Sequence, residues 1–463
     1  MVSTLPSSDQ TTDSSLLYLE THGSNSPNQR ILPLSAGVNG QDHLEVGGCD
    51  VIDLVREFGS PLYILDELTL RTACRQYRQA FEQYYPGDSL VMYASKAWNC
   101  LAVCAIAAQE GLAIDVVSGG ELLTAIKAGV SPSNIYFHGN NKSHRELQQG
   151  IDADCRIVVD NWHELRTLSG LATPDRPVTI LLRLTPGIEC HTHEYIRTGH
   201  IDSKFGFDPD QLEDVFAYVV QQPSLNCIGL HAHIGSQIFE LQPHQDLSAV
   251  LVTWMETAKR HGLPISELDV GGGLGIRYTE SDDPPSIGAW AQVVCENMIK
   301  ACEMAQVSLP RLICEPGRSL IGSACITAYT VGSQKSVPGI RTYASIDGGM
   351  SDNPRPITYQ SIYRVLAANK MSAPLSETIT LAGKHCESGD VVIHDAQLPV
   401  LNAGDILAIP ATGAYNYSMA SNYNRVPRPA AVLVNNGQAA TIVVRETDAD
   451  LMRYDRLPGY LQP

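Results

Sequence analysis

Eight short apolar runs, most of them separated by amphipathic stretches, constrain this chain more than any other feature of its sequence. They cover residues 90–94, 112–117, 134–137, 156–159, 178–184, 227–232, 268–270 and 311–314. Regular alternation of buried strands with helices indicates an α/β fold, and eight repeats indicate a parallel (β/α)8 barrel of the TIM type. A doubly wound open sheet is the structural alternative, although it usually has fewer strands and a glycine loop after the first one.

The pattern of residue types changes after Glu315. Later runs are rich in β-branched residues and turn residues, at 324–331, 342–346, 391–394, 406–409, 430–434 and 440–444. They predict an antiparallel β domain, which the run at 62–65 is expected to join. We therefore expect a flexible N-terminal extension (1–45), a lead-in segment (46–88), the barrel (89–320) and a C-terminal β domain (321–463).

Composition excludes several classes of partner. The formal net charge of −18 argues against binding to nucleic acid or to an anionic membrane. The 12 cysteines are scattered and include no Cys-x-x-Cys pair, so we expect reduced thiols in a cytoplasmic protein. We expect no signal peptide, because the first lysine or arginine is Arg30, and no apolar run approaches membrane-spanning length.

Lys96 lies where the first apolar run ends and a helical pattern begins. With few other charged residues nearby, its ammonium is expected to be partly desolvated, which favours the neutral amine as a nucleophile for a carbonyl. An ordinary surface lysine is the commoner meaning of such a residue taken alone.

The carboxyl ends of the strands carry the active site in a barrel of this type. Polar or glycine-rich residues follow the predicted strands, namely Lys96, Asp115, His138, Asp160, Asn161, Arg183, His231, His233, Gly271 to Gly273, and Glu315. We therefore expect these groups to converge on one rim of the barrel.

Gly271, Gly272 and Gly273 follow the seventh run, where such barrels commonly bind a phosphate group. Glycines let backbone N–H groups approach an anion, and a following helix N-terminus would add a favourable dipole. Gly235 and Ser236 offer further donors, while a simple tight turn is the alternative.

A lysine and a phosphate loop together suggest pyridoxal phosphate, which also needs a carboxylate at its ring nitrogen and a group over its ring face. Glu315 suits the first need, and His233 or His138 the second.

Ordered motifs spread from about residue 61 to 434 support this interpretation. They include Tyr93-Ala94-Ser95-Lys96-Ala97, Ser118-Gly119-Gly120-Glu121, Phe137-His138-Gly139-Asn140-Asn141-Lys142, Ser203-Lys204-Phe205-Gly206, His231-Ala232-His233-Ile234-Gly235-Ser236, Glu315-Pro316-Gly317-Arg318, Asn353-Pro354-Arg355-Pro356 and His385-Cys386-Glu387-Ser388-Gly389-Asp390. In these motifs the chain resembles the fold-type III pyridoxal-phosphate decarboxylases, whose fold is alanine racemase-like. It is more closely similar to the diaminopimelate decarboxylases among them.

The resemblance implies a role for each matching residue. Lys96 would bind the cofactor covalently, His233 would stack on its ring, and Glu315 would pair with its ring nitrogen. The remaining cofactor-binding residues would be Gly235, Gly271, Gly272, Gly273, Gly317, Arg318 and Tyr415. The substrate would be held by Arg318, Arg355, Tyr359, Glu387 and Tyr415. No metal is expected.

The resemblance also implies a homodimer in which Cys386 and Glu387 reach the site of the partner subunit. Cys386 would donate a proton during decarboxylation of meso-2,6-diaminopimelate to L-lysine and carbon dioxide, the last step of lysine biosynthesis. An ordinary thiol is mostly protonated near neutral pH and can therefore serve as a donor.

Three alternatives stay open on the sequence alone. The first is a sibling decarboxylase acting on arginine, ornithine or carboxynorspermidine. The second is a metal hydrolase, since the pairs His191/His193 and His231/His233 resemble metal ligands. The third is a regulator that kept the fold and lost the chemistry, although the presence of both Lys96 and Cys386 weighs against it.

Overall fold

Eight parallel strands close into a barrel in this computed structural model, which describes residues 14–15, 25–188 and 203–461. The first to eighth barrel strands are Ser89–Ala94, Ala113–Val116, Ile135–Phe137, Arg156–Val159, Val178–Arg183, Leu225–His231, Glu267–Asp269 and Arg311–Cys314. Each strand pairs with the next along the chain, and the eighth pairs with the first. The predicted TIM-type barrel is therefore confirmed, and all carboxyl ends of its strands face one rim.

A helix follows each barrel strand. These helices are Leu101–Gln109, Gly119–Lys127, His144–Ala153, Trp162–Leu171, Leu212–Val220, Gln242–Arg260, Ile287–Ala305 and the single turn Arg318–Ile321, and helix Glu67–Tyr84 precedes the first strand. Polar residues in three loops after barrel strands start helices: the side chains of Ser118, Ser143 and Asn161 each accept a hydrogen bond from a backbone N–H of the following first turn. Side-chain oxygens at this position satisfy N–H groups that have no partner inside the helix.

Inward-pointing apolar side chains fill the barrel. The buried cluster comprises Met92, Ala113, Tyr136, Val158, Leu181 and Ile313, one from each of six strands. Because the interior is packed with side chains, the barrel has no pore at this level, and chemistry is confined to its ends.

The other strands build a second sheet. They are Leu62–Asp66, Cys325–Val337, Arg341–Ile346, Leu366–Ala367, Glu377–Ala382, Val391–Leu398, Ile406–Ile409, Ala430–Asn435 and Gln438–Val443. Most neighbours are antiparallel, as predicted, but Leu62–Asp66 lies parallel to Ala430–Asn435, and Arg341–Ile346 lies parallel to Glu377–Ala382. Strand Glu377–Ala382 was not predicted, although Ile379 and Leu381 alternate with Thr378 and Thr380 as strand residues do.

A small sheet packs with this second unit. Its strands Gly37–Val38, Leu44–Val46 and Cys49–Asp50 precede helix Val51–Phe58. One apolar core joins Leu44, Val46 and Leu54 to Leu62, Ile326 and Val432 of the larger sheet. The remaining helices of this unit, Arg355–Tyr359 and Asp448–Met452, are short.

The chain divides into two units. One comprises residues 25–30 and 69–322 and holds the barrel, and the other comprises 31–68 and 323–461 and holds the sheets, within the described residues. The domain boundaries drawn from the sequence stay a prediction. Among the described helices, none has both the length and the apolar character needed to cross a membrane.

Candidate active site

Lys96 lies in a turn, Ser95–Ala97, that directly follows the first barrel strand. Ser95 and Ala97 are fully buried, whereas Lys96 is exposed. The expected desolvation of its ammonium is therefore wrong, although its positive charge acts on Asp115, Glu121 and His233 of the same rim. Within the described chain its Nζ makes no hydrogen bond or ion pair. The amine is thus available to a ligand.

The turn that carries Lys96 is held from two sides. Asn99 donates a hydrogen bond of 2.9 Å to Oγ of Ser95. On the other side, the N–H of Ala94 donates to the carbonyl of Pro316 at 3.1 Å, next to Gly317. A Cβ at Gly317 would lie 3.1 Å from Cβ of Ala94, closer than ordinary carbon atoms approach. Glycine at this position therefore lets the strand-eight turn pack against the lysine turn.

Glu315 is buried at the end of the eighth strand, between two histidines. Its Oε2 accepts a hydrogen bond from Nε2 of His231 at 3.1 Å. Its Oε1 lies 2.7 Å from Nε2 of His138, at ion-pair distance. Burial would raise the pKa of Glu315, but attraction to His138 and His231 and their hydrogen bonds hold that pKa well below its usual range. Glu315 is therefore a buried anion.

Two further carboxyl groups are buried close to Glu315. Burial and the charge of Glu315 raise the pKa of Asp269 well above its usual range, and burial raises the pKa of Asp115. Closely spaced carboxyl groups in a dry site cannot all ionise. The negative charge therefore resides on Glu315, while Asp269 is a neutral acid whose Oδ1 accepts the N–H of Gly271 at 2.8 Å.

His233 faces the glycine loop. Its Nδ1 accepts a hydrogen bond from the N–H of Gly272 at 3.2 Å. Burial, followed by the positive charges of Lys96 and Arg183, lowers the pKa of His233 well below its usual range. A neutral ring with Nδ1 as acceptor carries its proton on Nε2. Of the two histidines considered for the ring face, His138 instead pairs with Glu315, which leaves His233.

Gly271, Gly272 and Gly273 approach other backbone so closely that larger residues would not fit. A Cβ at Gly272 would lie 2.3 Å from the carbonyl oxygen of Glu315, and one at Gly271 would lie 2.7 Å from Nδ1 of His233. Gly271 and Gly273 also have φ values of 65° and 124°, which disfavour other residues. The next helix after this loop begins only at Ile287, so the predicted helix N-terminus directly after it is wrong.

Several N–H groups of this rim lack a protein partner. In the described part of the chain, the backbone N–H groups of Gly235, Gly273 and Gly317 donate to no protein group. Backbone N–H groups that converge from several loops form an anion-binding concavity. The glycine positions predicted from the sequence therefore supply donors, as a phosphate requires.

Arg318 begins the turn after Glu315 and is buried. Its Nη1 donates to the hydroxyl of Tyr278 at 2.6 Å, and its Nε and Nη2 donate to Oγ of Ser236 at 3.2 and 3.0 Å. The guanidinium is thus held between the sixth-strand loop and the seventh-strand loop.

Arg355 is the centre of a second group, in the sheet unit. Its Nε donates to the hydroxyl of Tyr363 at 2.9 Å. Its guanidinium carbon lies 5.5 Å from the ring centre of Tyr359 and 5.8 Å from that of Tyr415. The structure therefore brings together Arg355, Tyr359 and Tyr415, which were predicted to hold the substrate, and adds Tyr363 as a support.

Cys386 and Glu387 belong to an exposed loop of the same unit. Residues 386–389 are all exposed, while the flanking His385 and Asp390 are buried. The N–H of Cys386 donates to Oδ1 of Asn424 at 2.8 Å. The thiol and the carboxylate thus project from a short, anchored segment.

The hydrolase hypothesis depended on two histidine pairs. His191 and His193 lie outside the described residues. His231 and His233 do not form a ligand pair, since His231 contacts Glu315 and His233 contacts Gly272. Among the described residues, the possible ligand atoms within 4.8 Å of one another belong instead to His138, His231 and Glu315.

Several supporting residues escaped the sequence analysis. Tyr278 contacts Arg318, which is 40 residues away, so no local signal identifies it. Tyr363 and Asp269 lie near Arg355 and Gly271 in the sequence, but neither belongs to a motif that indicates a role. The position of His231 at a strand end is visible in the sequence, but its contact with Glu315 is not.

Comparisons with known proteins agree with this site. A family model described as pyridoxal-dependent decarboxylase, pyridoxal binding domain, matches residues 68–322. The fold and the rim residues thus define a pyridoxal-dependent decarboxylase of the barrel type.

Individual relatives identify the family within this class of decarboxylases. A diaminopimelate decarboxylase from Synechocystis sp. is 64% identical over 460 residues, covering 97% of this chain and 98% of that protein. Another from Bacillus subtilis is 44% identical over 426 residues, covering 90% of this chain and 96% of that protein. The chain belongs to the diaminopimelate decarboxylase family.

Solved structures support the same relationship. The diaminopimelate decarboxylase of M. jannaschii in complex with L-lysine has a TM-score of 0.86 and 31% identity, covering 94% of this chain and 100% of that chain. A lysine/ornithine decarboxylase from Vibrio vulnificus, at 23% identity and a TM-score of 0.70 over 83% of this chain and 98% of that chain, shares the fold.

Proposed function

We propose that this protein uses pyridoxal phosphate to decarboxylate meso-2,6-diaminopimelate, giving L-lysine and carbon dioxide. The family supports this activity. The structural observation that carries it is the buried anion Glu315, which shares one rim with the available amine of Lys96 and the glycine loop.

The residues of the barrel rim fit the cofactor. Lys96 offers an amine without a protein partner for the aldehyde. Gly235, Gly273 and Gly317 offer free N–H groups for the phosphate, within the described chain. Glu315 offers a buried anion for the ring nitrogen, and His233 offers a flat neutral ring. Arg318 lies beside the same loops, where its charge favours an anion.

Bound pyridoxal phosphate supplies an electron sink for the pair of electrons left behind when the carboxylate departs. Lys96 would hold the cofactor through its amine. Glu315, being ionised, would favour a proton at the ring nitrogen, and the flat ring of His233 would support the ring face. Electrostatic groups preorganised in a dry site act without a cost of reorganisation during the reaction.

Arg355, Tyr359, Tyr415, Cys386 and Glu387 of the sheet unit and Arg318 of the barrel unit are the substrate contacts in this proposal. Arg355, supported by Tyr359 and Tyr415, holds a substrate carboxylate, and Arg318 supplies a second positive charge. Glu387 holds the distal ammonium. Cys386 then delivers the proton from Sγ to the carbon that has lost its carboxylate. A substrate with an amino-acid group at each end matches both signs of charge.

We further propose a cytoplasmic homodimer, in which Cys386 and Glu387 serve the site of the partner subunit. The exposure of residues 386–389 supports a role toward another molecule. Free thiols at all 11 cysteines of the described chain support a reducing compartment.

A sibling decarboxylase of ornithine or arginine is the alternative. Those substrates have no distal carboxylate, so the carboxylate contact assigned to Arg355 would not be made. Leaving a buried charged group unpaired costs several kcal/mol, on the order of 3 or more.

The test is to incubate the purified protein with meso-diaminopimelate and pyridoxal phosphate and to measure lysine and carbon dioxide. We expect equal molar amounts of both. Lys96→Ala serves as the inactive control. Carbon dioxide without lysine, or no turnover with bound cofactor, would contradict the proposal.

A further inference from the structure

A buried pair closes the base of the loop that carries Cys386. Nδ1 of His385 lies 2.7 Å from Oδ2 of Asp390, and the backbone N–H of His385 donates to the same oxygen at 3.0 Å. The side chains of this pair are 0% and 2% exposed, whereas the four residues between them are exposed. The pair therefore clamps the two ends of a short solvent-facing loop.

Asp390, the first partner, is rigidly held. Its Oδ1 accepts the N–H of Met350 at 2.7 Å. A Cβ at Gly383 would lie 2.1 Å from a carboxylate oxygen of Asp390, and one at Gly349 would lie 2.6 Å away. The carboxylate thus fills a space that exists only because both neighbours are glycine, and it offers His385 a fixed acceptor.

The imidazole of His385 also connects to a second anchor. Its ring stacks on Tyr423, with centroids 6.0 Å apart and planes at 25°. The next residue, Asn424, accepts the N–H of Cys386 at 2.8 Å and has a φ of 52°, in the left-handed region. Cys386 is therefore held on one side through its own backbone and on the other through His385.

Burying the imidazole of His385 costs free energy that an apolar side chain at this position would not cost. Nε2 of His385 is buried and has no hydrogen-bond partner in the described part of the chain. Such an unsatisfied polar atom costs free energy of folding. The donor at Nδ1, which reaches Asp390, is what distinguishes histidine from an apolar residue here.

We propose that His385 is a positioning residue: together with Asp390 it fixes the direction from which the Cys386 thiol delivers its proton. The inference rests on the proposed function, in which the S–H bond of Cys386 breaks and a C–H bond forms at the carbon that has lost carbon dioxide. The thiolate then regains a proton from water. Fixing the loop before reaction removes orientational freedom that would otherwise slow the transfer.

The test is the stereochemistry of proton delivery in D2O. A fixed donor places deuterium on one face of the new methylene carbon of lysine. We expect the wild-type enzyme to give one labelled form, and His385→Leu to give both. Turnover should fall by about tenfold in His385→Leu while KM changes less than about twofold, because orientation and not binding is lost. His385→Asn, whose amide N–H lies near the position of Nδ1, should retain most of the selectivity.

A second readout does not need turnover. The rate at which iodoacetamide alkylates Cys386, located by peptide mass spectrometry, should change in His385→Leu and much less in His385→Asn. If His385→Leu does not fold, Asp390→Asn replaces it, since it weakens the same pair. Circular dichroism and cofactor absorbance establish that each variant is folded.

The inference about His385 would be overturned, and the proposed function kept, by a folded His385→Leu variant with three properties. It would place deuterium on one face of the new methylene carbon, turn over at the wild-type rate and show unchanged alkylation of Cys386. If the wild-type enzyme itself forms no lysine, the proposed function fails instead, and the role in proton delivery fails with it.

Discussion

Nε2 of His231 lies 3.1 Å from Oε2 of Glu315 at the carboxyl ends of the sixth and eighth barrel strands. Burial lowers the pKa of His231 to about 4, while attraction to Glu315 and the hydrogen bond between the two act in the opposite direction. Glu315 also lies 2.7 Å from Nε2 of His138. The two histidines together hold Glu315 as an anion, which can pair with a protonated ring nitrogen.

Replacement of Glu315 by glutamine removes the anion and keeps the shape of the side chain. We expect Glu315→Gln to bind pyridoxal phosphate and to decarboxylate about 100-fold more slowly, with a smaller change in KM, because the lost interaction acts mainly in the transition state. Steady-state kinetics and cofactor absorbance check this. The exposed Glu213→Gln is the matched control. Near-wild-type turnover in Glu315→Gln would refute the role.

Covalent attachment of the cofactor is predicted at Lys96, whose amine has no partner in the described chain. Borohydride reduction of the holoenzyme, followed by peptide mapping, should find the adduct on Lys96. Lys96→Ala should lose both adduct and turnover while keeping its circular dichroism spectrum. The exposed Lys127→Ala should behave as the wild type. An adduct on any other lysine contradicts the assignment.

His244 predicts how stability depends on pH. This histidine, in helix Gln242–Arg260, is buried against Trp290 at 5.4 Å, and neither ring nitrogen has a hydrogen-bond partner in the described chain. Burial lowers its pKa to about 3, against an ordinary value of 6.5. Below pH 6.5 the unfolded chain therefore binds a proton that the folded chain excludes, and stability falls as the pH falls.

Proton linkage at His244 lowers the free energy of unfolding by about 2 kcal/mol as the pH falls from 7.5 to 5. His244→Leu should therefore lose less stability over this range than the wild type, as measured by urea unfolding at both pH values. His163→Gln, at an exposed position, is the control. An equal loss of stability in His244→Leu and in the wild type would show that His244 is not the group from which folding excludes a proton.

Complementation tests the shared site of the proposed dimer. Lys96→Ala and Cys386→Ala should each be inactive. After subunit exchange at equal concentrations, half of the dimers should be mixed and each should hold one intact site, giving about a quarter of wild-type activity. Exchange is verified by mass spectrometry of differently tagged chains. No recovery despite exchange would place Lys96 and Cys386 of one site on the same chain.

The sequence predicted the barrel well because apolar runs and amphipathic stretches alternate with little interruption. Strands Arg156–Val159 and Arg311–Cys314 coincide with their predicted runs, since each is a buried stretch ended by a polar residue or glutamate. Strand Glu377–Ala382 was missed because its apolar positions are separated by threonines, and the apolar signal is weak.

The candidate site was predictable where function is carried by residue type and position at a strand end, as for Lys96, Glu315 and the glycine loop. Contacts across the fold were not predictable. Nothing near Asp390 in the sequence indicates that Gly349 makes room for its carboxylate, and nothing near Arg318 indicates Tyr278. The polar residues Ser118 and Asn161 follow barrel strands but cap helices, so a strand-end position alone does not establish a catalytic role.

The central claim is the choice of substrate, and the most direct measurement is kcat/KM of the holoenzyme for meso-diaminopimelate, lysine, ornithine and arginine under identical conditions. Only meso-diaminopimelate has both a distal carboxylate and a distal ammonium, so only it matches Arg355 and Glu387 together. We expect its kcat/KM to exceed the others by about a thousandfold or more, because a site built for a polar group strongly rejects substrates that lack it. Ornithine or arginine turned over as efficiently as diaminopimelate would contradict the proposed function.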